Sequence, residues 1–300
     1  MEFHDEELRE IVRLLKDRTG RRELGLVRLK VACRWPVYRG ETPGDAPVFV
    51  KVARPEEARN TLALLSSAGP CELLPRPVVA EPIAFGEYSV LCLEWKESST
   101  LFAEEMSEVQ LKSFVAGCAE LSRSLASVAV PLVAKAEDDP LRQYALLSDY
   151  AKRHPIGGRL LRGILEIPAA ERTYGARTLV PIHGDFQPKN YGFAGDRMTA
   201  VYDFEEVRPG LACEDAAYAF TERCRHLCGK RHRRLVLNFL EMMRRSPWPA
   251  EEWRIAVNHC RLRIAARRLD KHPDGFFVAL DIRRRDRPLR RLYDIICAET

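Results

Sequence analysis

The chain has no apolar run long enough to span a bilayer. Its most apolar stretch, residues 124–134, is interrupted by Pro131 and falls well short of the roughly 20 residues a membrane helix needs. The opening residues, Met1-Glu2-Phe3-His4-Asp5-Glu6-Glu7, are acidic and lack the apolar core of a secretory leader. There is no CxxC pair, and the nine cysteines are an odd number scattered through the length, which argues against a disulfide framework. The nearest thing to a metal cluster is Cys224 and Cys228, with His226, His232 and His259 around them in sequence. It lacks the spacing of zinc sites and reads as core or surface thiols. Repeats and low-complexity segments are missing too. These absences predict a soluble, cytoplasmic protein with free thiols.

What is present is ordinary for a globular chain: 46% hydrophobic and 30% charged residues over 300 positions. That is enough for one large domain or two smaller ones. The net charge of +5 hides an asymmetry. Residues 221–300 carry 20 Lys and Arg against 10 Asp and Glu, whereas the first 220 carry 28 against 33. Six arginines crowd into nine positions, Arg283 to Arg285, Arg287, Arg290 and Arg291. They can pair with acids of neighbouring helices or face an anionic ligand or surface.

Periodicity divides the chain in two. Residues 6–16 have apolar side chains at helical spacing, residues 26–33 are a β-like run, and residues 48–52 (VFVKV) form a valine-rich strand containing Lys51. Pro55 opens a helix over residues 56–66. Residues 88–93 are another strand, and Gly40 and Gly44 lie in a turn. Beyond about residue 96 the pattern turns helical, with a stripe from Leu111 to Val128 and a second helix over residues 141–154. A short strand over residues 179–182 ends at His183, and a hairpin joins residues 191–193 to 198–202. The expectation is an α+β fold, with a strand-rich part over residues 1–96 and a mostly helical part over residues 97–300.

Within the second part lies His183-Gly184-Asp185-Phe186-Gln187-Pro188-Lys189-Asn190, followed thirteen residues later by Asp203-Phe204-Glu205. An acid, an amide five residues on, and a second acid after a hairpin are what phosphoryl transfer requires. One carboxylate accepts or orients the proton of the attacking hydroxyl. Another carboxylate and an amide oxygen hold magnesium, a hard ion that prefers oxygen donors. Single-residue frequencies put chance coincidence of the five positions at about one in 10⁴ chains of this length.

HGDxxxxN followed by D-x-[DE] resembles the aminoglycoside phosphotransferase and choline kinase group, relatives of protein kinases. The resemblance implies a two-lobed, protein-kinase-like fold and an ATP- and magnesium-dependent transfer of the γ-phosphoryl group to a hydroxyl of a small molecule. By it, Asp185 is the catalytic base, Asn190 and Asp203 bind magnesium, and Glu205 is a second acid that assists the metal or braces the loop. His183 is a structural brace. Asp215 matches an aspartate that tethers the catalytic loop, or simply suits the first turn of a helix. Lys51 grips the α and β phosphates, and residues Glu94 to Lys96 are the hinge whose backbone reads adenine.

The chain departs from the family's pattern in three ways. No GxGxxG precedes Lys51. The helix after Lys51 has Asn60 and Thr61 where a lysine-pairing glutamate belongs, with Glu57 as a substitute from its first turn. Lys189 stands where relatives usually have a small residue. The arginine excess favours a neutral or anionic acceptor over a polycation, and leaves peripheral membrane contact open. Nothing calls for a nucleic acid. Sugars, amino alcohols and aminoglycosides are acceptor classes to weigh. A protein or a lipopolysaccharide core sugar is the alternative acceptor, and a pseudokinase scaffold the alternative role.

Overall fold

Every residue of the valine-rich strand β3 (Val48–Ala53) is buried, so it must be covered on both faces and lie inside a sheet. The computed structural model describes residues 3–29, 35–128, 138–224, 226–227, 229–271 and 276–299. In it β3 is the middle of a five-stranded antiparallel sheet, order β1-β2-β3-β5-β4, with β1 at Gly25–Arg28, β2 at Val37–Glu41, β4 at Ile83–Phe85 and β5 at Tyr88–Glu94. Alternation along β3 sends Val48, Val50 and Val52 to one face, where Ile11 and Leu15 of helix α1 (Asp5–Thr19) cover them. Phe49 and Lys51 therefore point to the other face, toward the rest of the molecule. Helix α2 (Pro55–Ser67) follows, with Pro55 in its first turn.

The larger part is helical. Helix α3 (Glu108–Ala126) opens on a capping box at Ser107 and Gln110. After α4 (Pro140–Arg153) come the short α5 (Pro155–Leu160) and α6 (Arg162–Leu165), then α7 (Glu214–Cys224), α8 (Gly229–Arg245), α9 (Ala250–Lys271) and α10 (Phe276–Glu299). Helix α9 is buried almost all round, as expected of a helix wrapped by others, here α4, α7 and α10. Two small ladders sit between sheet and helices: β6 (Val180–Ile182) with β9 (Arg208–Gly210), and the hairpin of β7 (Tyr191–Ala194) and β8 (Arg197–Val201). Among the described residues no helix is long and apolar enough to cross a membrane.

Some expectations change. The β-like run over residues 26–33 yields only β1, and its last four residues lie outside the described ones. Gly40 belongs to β2, not to a turn; a Cβ there would meet the Val48 side chain at 2.6 Å. The seven described cysteines are free thiols, five of them buried. Cys224 Sγ lies 3.4 Å from His232 Nε2, and Cys228 lies outside the described residues.

Candidate active site

The loop after β6 is fixed from three sides. The buried Asp215 carboxylate, at the start of α7, accepts the His183 and Gly184 backbone N–H groups at 2.7 and 2.9 Å. His183 is fully buried. Its Nε2 meets the Tyr202 carbonyl at 2.7 Å, and its Nδ1 lies 3.2 Å from the Asp185 N–H. Those two contacts set the tautomer, with the hydrogen on Nε2. From behind, buried Arg263 of α9 donates to the Gly184 carbonyl and pairs with Glu206 at 3.3 Å and Asp138 at 3.4 Å.

Gly184 has φ +79°, and a Cβ there would lie 2.1 Å from the Glu206 carbonyl oxygen. Both the left-handed conformation and the contact demand glycine. Gly184→Ala should therefore cost at least ~2 kcal/mol of stability, read from urea unfolding. An unchanged midpoint would refute this account of the loop.

The Asp185 carboxylate accepts from Gln187 Nε2 at 2.9 and 2.8 Å and from Asn190 Nδ2 at 3.1 Å. Asn190 Nδ2 also donates to the Asp185 carbonyl at 2.8 Å. Its amide hydrogens are thus committed, and the atom Asn190 can offer a cation is Oδ1. Lys189 Nζ stands 4.0 Å from Asp185 Oδ2.

Asp203, two residues past β8, adopts φ +70° and ψ +64°, and no other non-glycine residue described has a positive φ. Such a conformation costs about 1–2 kcal/mol and turns the carboxylate toward Lys51. Lys51 Nζ is 2.5 Å from both Asp203 Oδ1 and Glu205 Oε1. Burial alone would push the Lys51 ammonium down, but the two carboxylates more than reverse this and keep it charged. Burial would likewise raise Asp203, and Lys51 instead holds it below the usual carboxylate range. For Glu205 burial wins, helped by the neighbouring Asp203 charge, and its pKa sits above the ordinary value. The structure thus brings Lys51, Asp203 and Glu205 together, with Asn190 and Asp185 hydrogen-bonded beside them. Glu57 caps α2 instead, accepting the Arg54 N–H at 3.3 Å. The acid that partners Lys51 in the helix's stead is Glu205. Asp203, Glu205 and Asn190 Oδ1 form an all-oxygen donor set, which fits a hard divalent cation.

These groups line, or lie just behind, the polar end of a cleft of ≈ 250 Å³ between the sheet and the hairpin. Its apolar wall includes Leu29, Val37 and Trp95, with Phe49 stacked on Tyr202 at 4.7 Å between ring centroids. Lys96 lines the cleft, but its backbone N–H donates to the Tyr202 hydroxyl at 2.7 Å. Glu94 borders a neighbouring depression, its N–H bonded to the Arg76 carbonyl at 2.7 Å and its carboxylate 3.5 Å from Lys96 Nζ. Sequence reasoning passed over Tyr202 and Arg263. Tyr202 directly precedes the Asp203 motif and carried a usable signal. Arg263 carried none, since its contact with Gly184 spans 79 residues.

The sequence pattern of the phosphotransferase enzyme family (APH) matches residues 36–254. No curated protein matches the chain in sequence. Solved structures share the fold. Aminoglycoside 2'-phosphotransferase-IIIa, solved as its GDP complex, aligns with a TM-score of 0.64 at 13% identity, over 94% of this chain and 98% of its own. Amicoumacin kinase hAmiN, in complex with AMP-PNP, Ca2+ and Ami, aligns with a TM-score of 0.60 at 10% identity, over 99% of this chain and 94% of its own. The streptomycin-ATP-APH(2")-IIa ternary complex gives 0.58 at 14% identity, over 98% and 99%. Since the matched span takes in most of the sheet, the loop after β6 and the helices behind it, the chain belongs to the phosphotransferase enzyme family and has its two-lobed, kinase-like α+β fold.

Proposed function

We propose that the protein is an ATP-dependent kinase that transfers the γ-phosphoryl group to a hydroxyl of a small molecule. The reading rests on one observation: Lys51 from the sheet meets Asp203 at 2.5 Å, next to Asn190, which hydrogen-bonds Asp185 at 3.1 Å. Asp185 accepts or orients the proton of the acceptor hydroxyl. Lys51 holds the nucleotide's phosphates once they enter, and the aromatic wall takes the base. Asn190 and Asp203, with Glu205 beside them, hold magnesium, which when bound neutralises charge on the triphosphate. Because the Lys96 N–H is taken by Tyr202, adenine must displace that hydroxyl or be read by other atoms near Glu94 and Lys96. Lys189, beside Asp185, disfavours a polycationic acceptor. A neutral or anionic small molecule fits better, and a protein or lipopolysaccharide core sugar is the second choice. The free thiols suit a reducing compartment, and we place the enzyme in the cytoplasm.

The test is ADP release from MgATP in the presence of sugars, amino alcohols, aminoglycosides and lipopolysaccharide core fragments. At least one compound should raise release above the acceptor-free rate. If none does and MgATP fails to bind, the chain is a scaffold and not a kinase.

A further inference from the structure

Helix α10 separates its arginines into two sets. Arg285 pairs with Asp281 at 2.8 Å and Arg290 with Glu166 at 3.4 Å. From α9, Arg261 takes Asp286 at 2.7 Å and Arg268 takes Asp281 at 3.3 Å. The acids Asp281 and Asp286 are thereby engaged. Arg283, Arg284, Arg287 and Arg291 are exposed, and none has an ion-pair partner among the described residues.

Those four arginines share one face of α10. At 100° per residue they fall within about a third of the helix circumference, and the i,i+4 pairs Arg283/Arg287 and Arg287/Arg291 repel one another. They border an open depression of ≈ 650 Å³, with His232 and Gly229 of α8 on its far side and Leu227, Leu280 and Pro288 supplying apolar surface. It shares no residue with the nucleotide cleft. His232 is held below its ordinary pKa by burial and by the Arg291 charge, in keeping with a positive potential there. Guanidinium groups suit phosphate because their planar forks donate two parallel hydrogen bonds.

We infer that this depression between α8 and α10 is a second ligand site, built for an anion bearing closely spaced phosphates. With no carboxylate partner for them among the described residues, four arginines on one helix face repel one another and favour an anionic ligand, and the concave shape with apolar surface at Leu227, Leu280 and Pro288 suits a ligand of drug-like size. A free polyphosphorylated compound and the phosphate headgroups of an anionic bilayer present the same chemistry.

The test compares the wild-type chain with the triple variant Arg284→Gln, Arg287→Gln and Arg291→Gln. Inorganic tripolyphosphate is titrated calorimetrically, and flotation is followed with phosphatidylcholine vesicles with and without phosphatidylglycerol. The tripolyphosphate titration is also run in a Lys51→Ala background, so that occupancy of the nucleotide cleft is not counted. Tripolyphosphate should bind the wild type, and the triple variant should weaken by roughly 10²-fold or more through lost charge-assisted contacts. Capture by the phosphatidylglycerol vesicles alone would identify the headgroup as the source, provided the variant abolishes it. Melting of the variant should stay level or rise, because repulsion is removed. Binding to neither probe, undiminished binding by the variant, or melting several degrees lower would each overturn the site. The last would make these arginines part of a folded-state charge network.

Discussion

Asp185→Asn is expected to lower acceptor-stimulated ADP release by about 10²–10⁴-fold, the usual worth of general-base assistance, with nucleotide affinity unchanged. The loop should survive the substitution. An asparagine can place its carbonyl oxygen where Oδ2 now lies, still accepting from Gln187 and Asn190, while its amide takes the Oδ1 position, where the second contact from Gln187 Nε2 is lost and the Gln187 side chain shifts away. Gly184, His183 and Asp215 hold the backbone through contacts that the side chain of residue 185 does not make. What is lost is the negative charge and the proton acceptor. Rates equal to wild type would remove Asp185 from the chemistry. Lost nucleotide binding would mean that the side chain supports the cleft and does not act on the acceptor.

Asp203→Ala should remove the magnesium enhancement of nucleotide affinity, by at least about tenfold, since even residues that only orient a metal ligand commonly cost 10–100-fold. A fluorescent ATP analogue titrated with and without Mg²⁺ reads this. The substitution also leaves Lys51 with Glu205 as its remaining carboxylate and puts alanine at φ +70°, so some loss of stability accompanies it. Asp203→Asn separates the two effects, because asparagine tolerates the left-handed region and keeps an oxygen but not the charge. If the alanine variant keeps the full magnesium effect, the metal is held elsewhere.

Much of this was legible in the sequence where the information is local. The HGDxxxxN spacing and the hairpin before Asp203 are short-range patterns, and Pro55 and Ser107 announce the helices they open. The position of Lys51 on the cleft face follows from two-residue alternation beside Phe49. Harder to see were three-residue strands such as β4 and β9, the latter Arg208-Pro209-Gly210, where proline and glycine mask any strand signal. The break that separates α4 from α5 at His154 is a single residue. Least legible were partners chosen through space. Lys51 finds Asp203 across 152 residues, and Arg290 of α10 finds Glu166 across 124, so tertiary packing settles in part which arginines of α10 are neutralised.

The ion pair between Lys51 and Glu205 has a consequence for how this sequence can drift. Where a helix supplies the lysine's partner, that helix carries a fixed acidic position, and its register against the sheet is frozen with it. Here the carboxylate comes from the stretch that also carries Asp203, so one short segment holds both acids. Helix α2 is left with a packing duty through Ala58, Leu62 and Leu65 and a capping duty through Glu57. Its Asn60 is exposed, and no ion pair with Lys51 depends on it. Variation should be tolerated on the outer face of α2 better than at residues 203–205, and a glutamate placed at position 60 should leave activity unchanged.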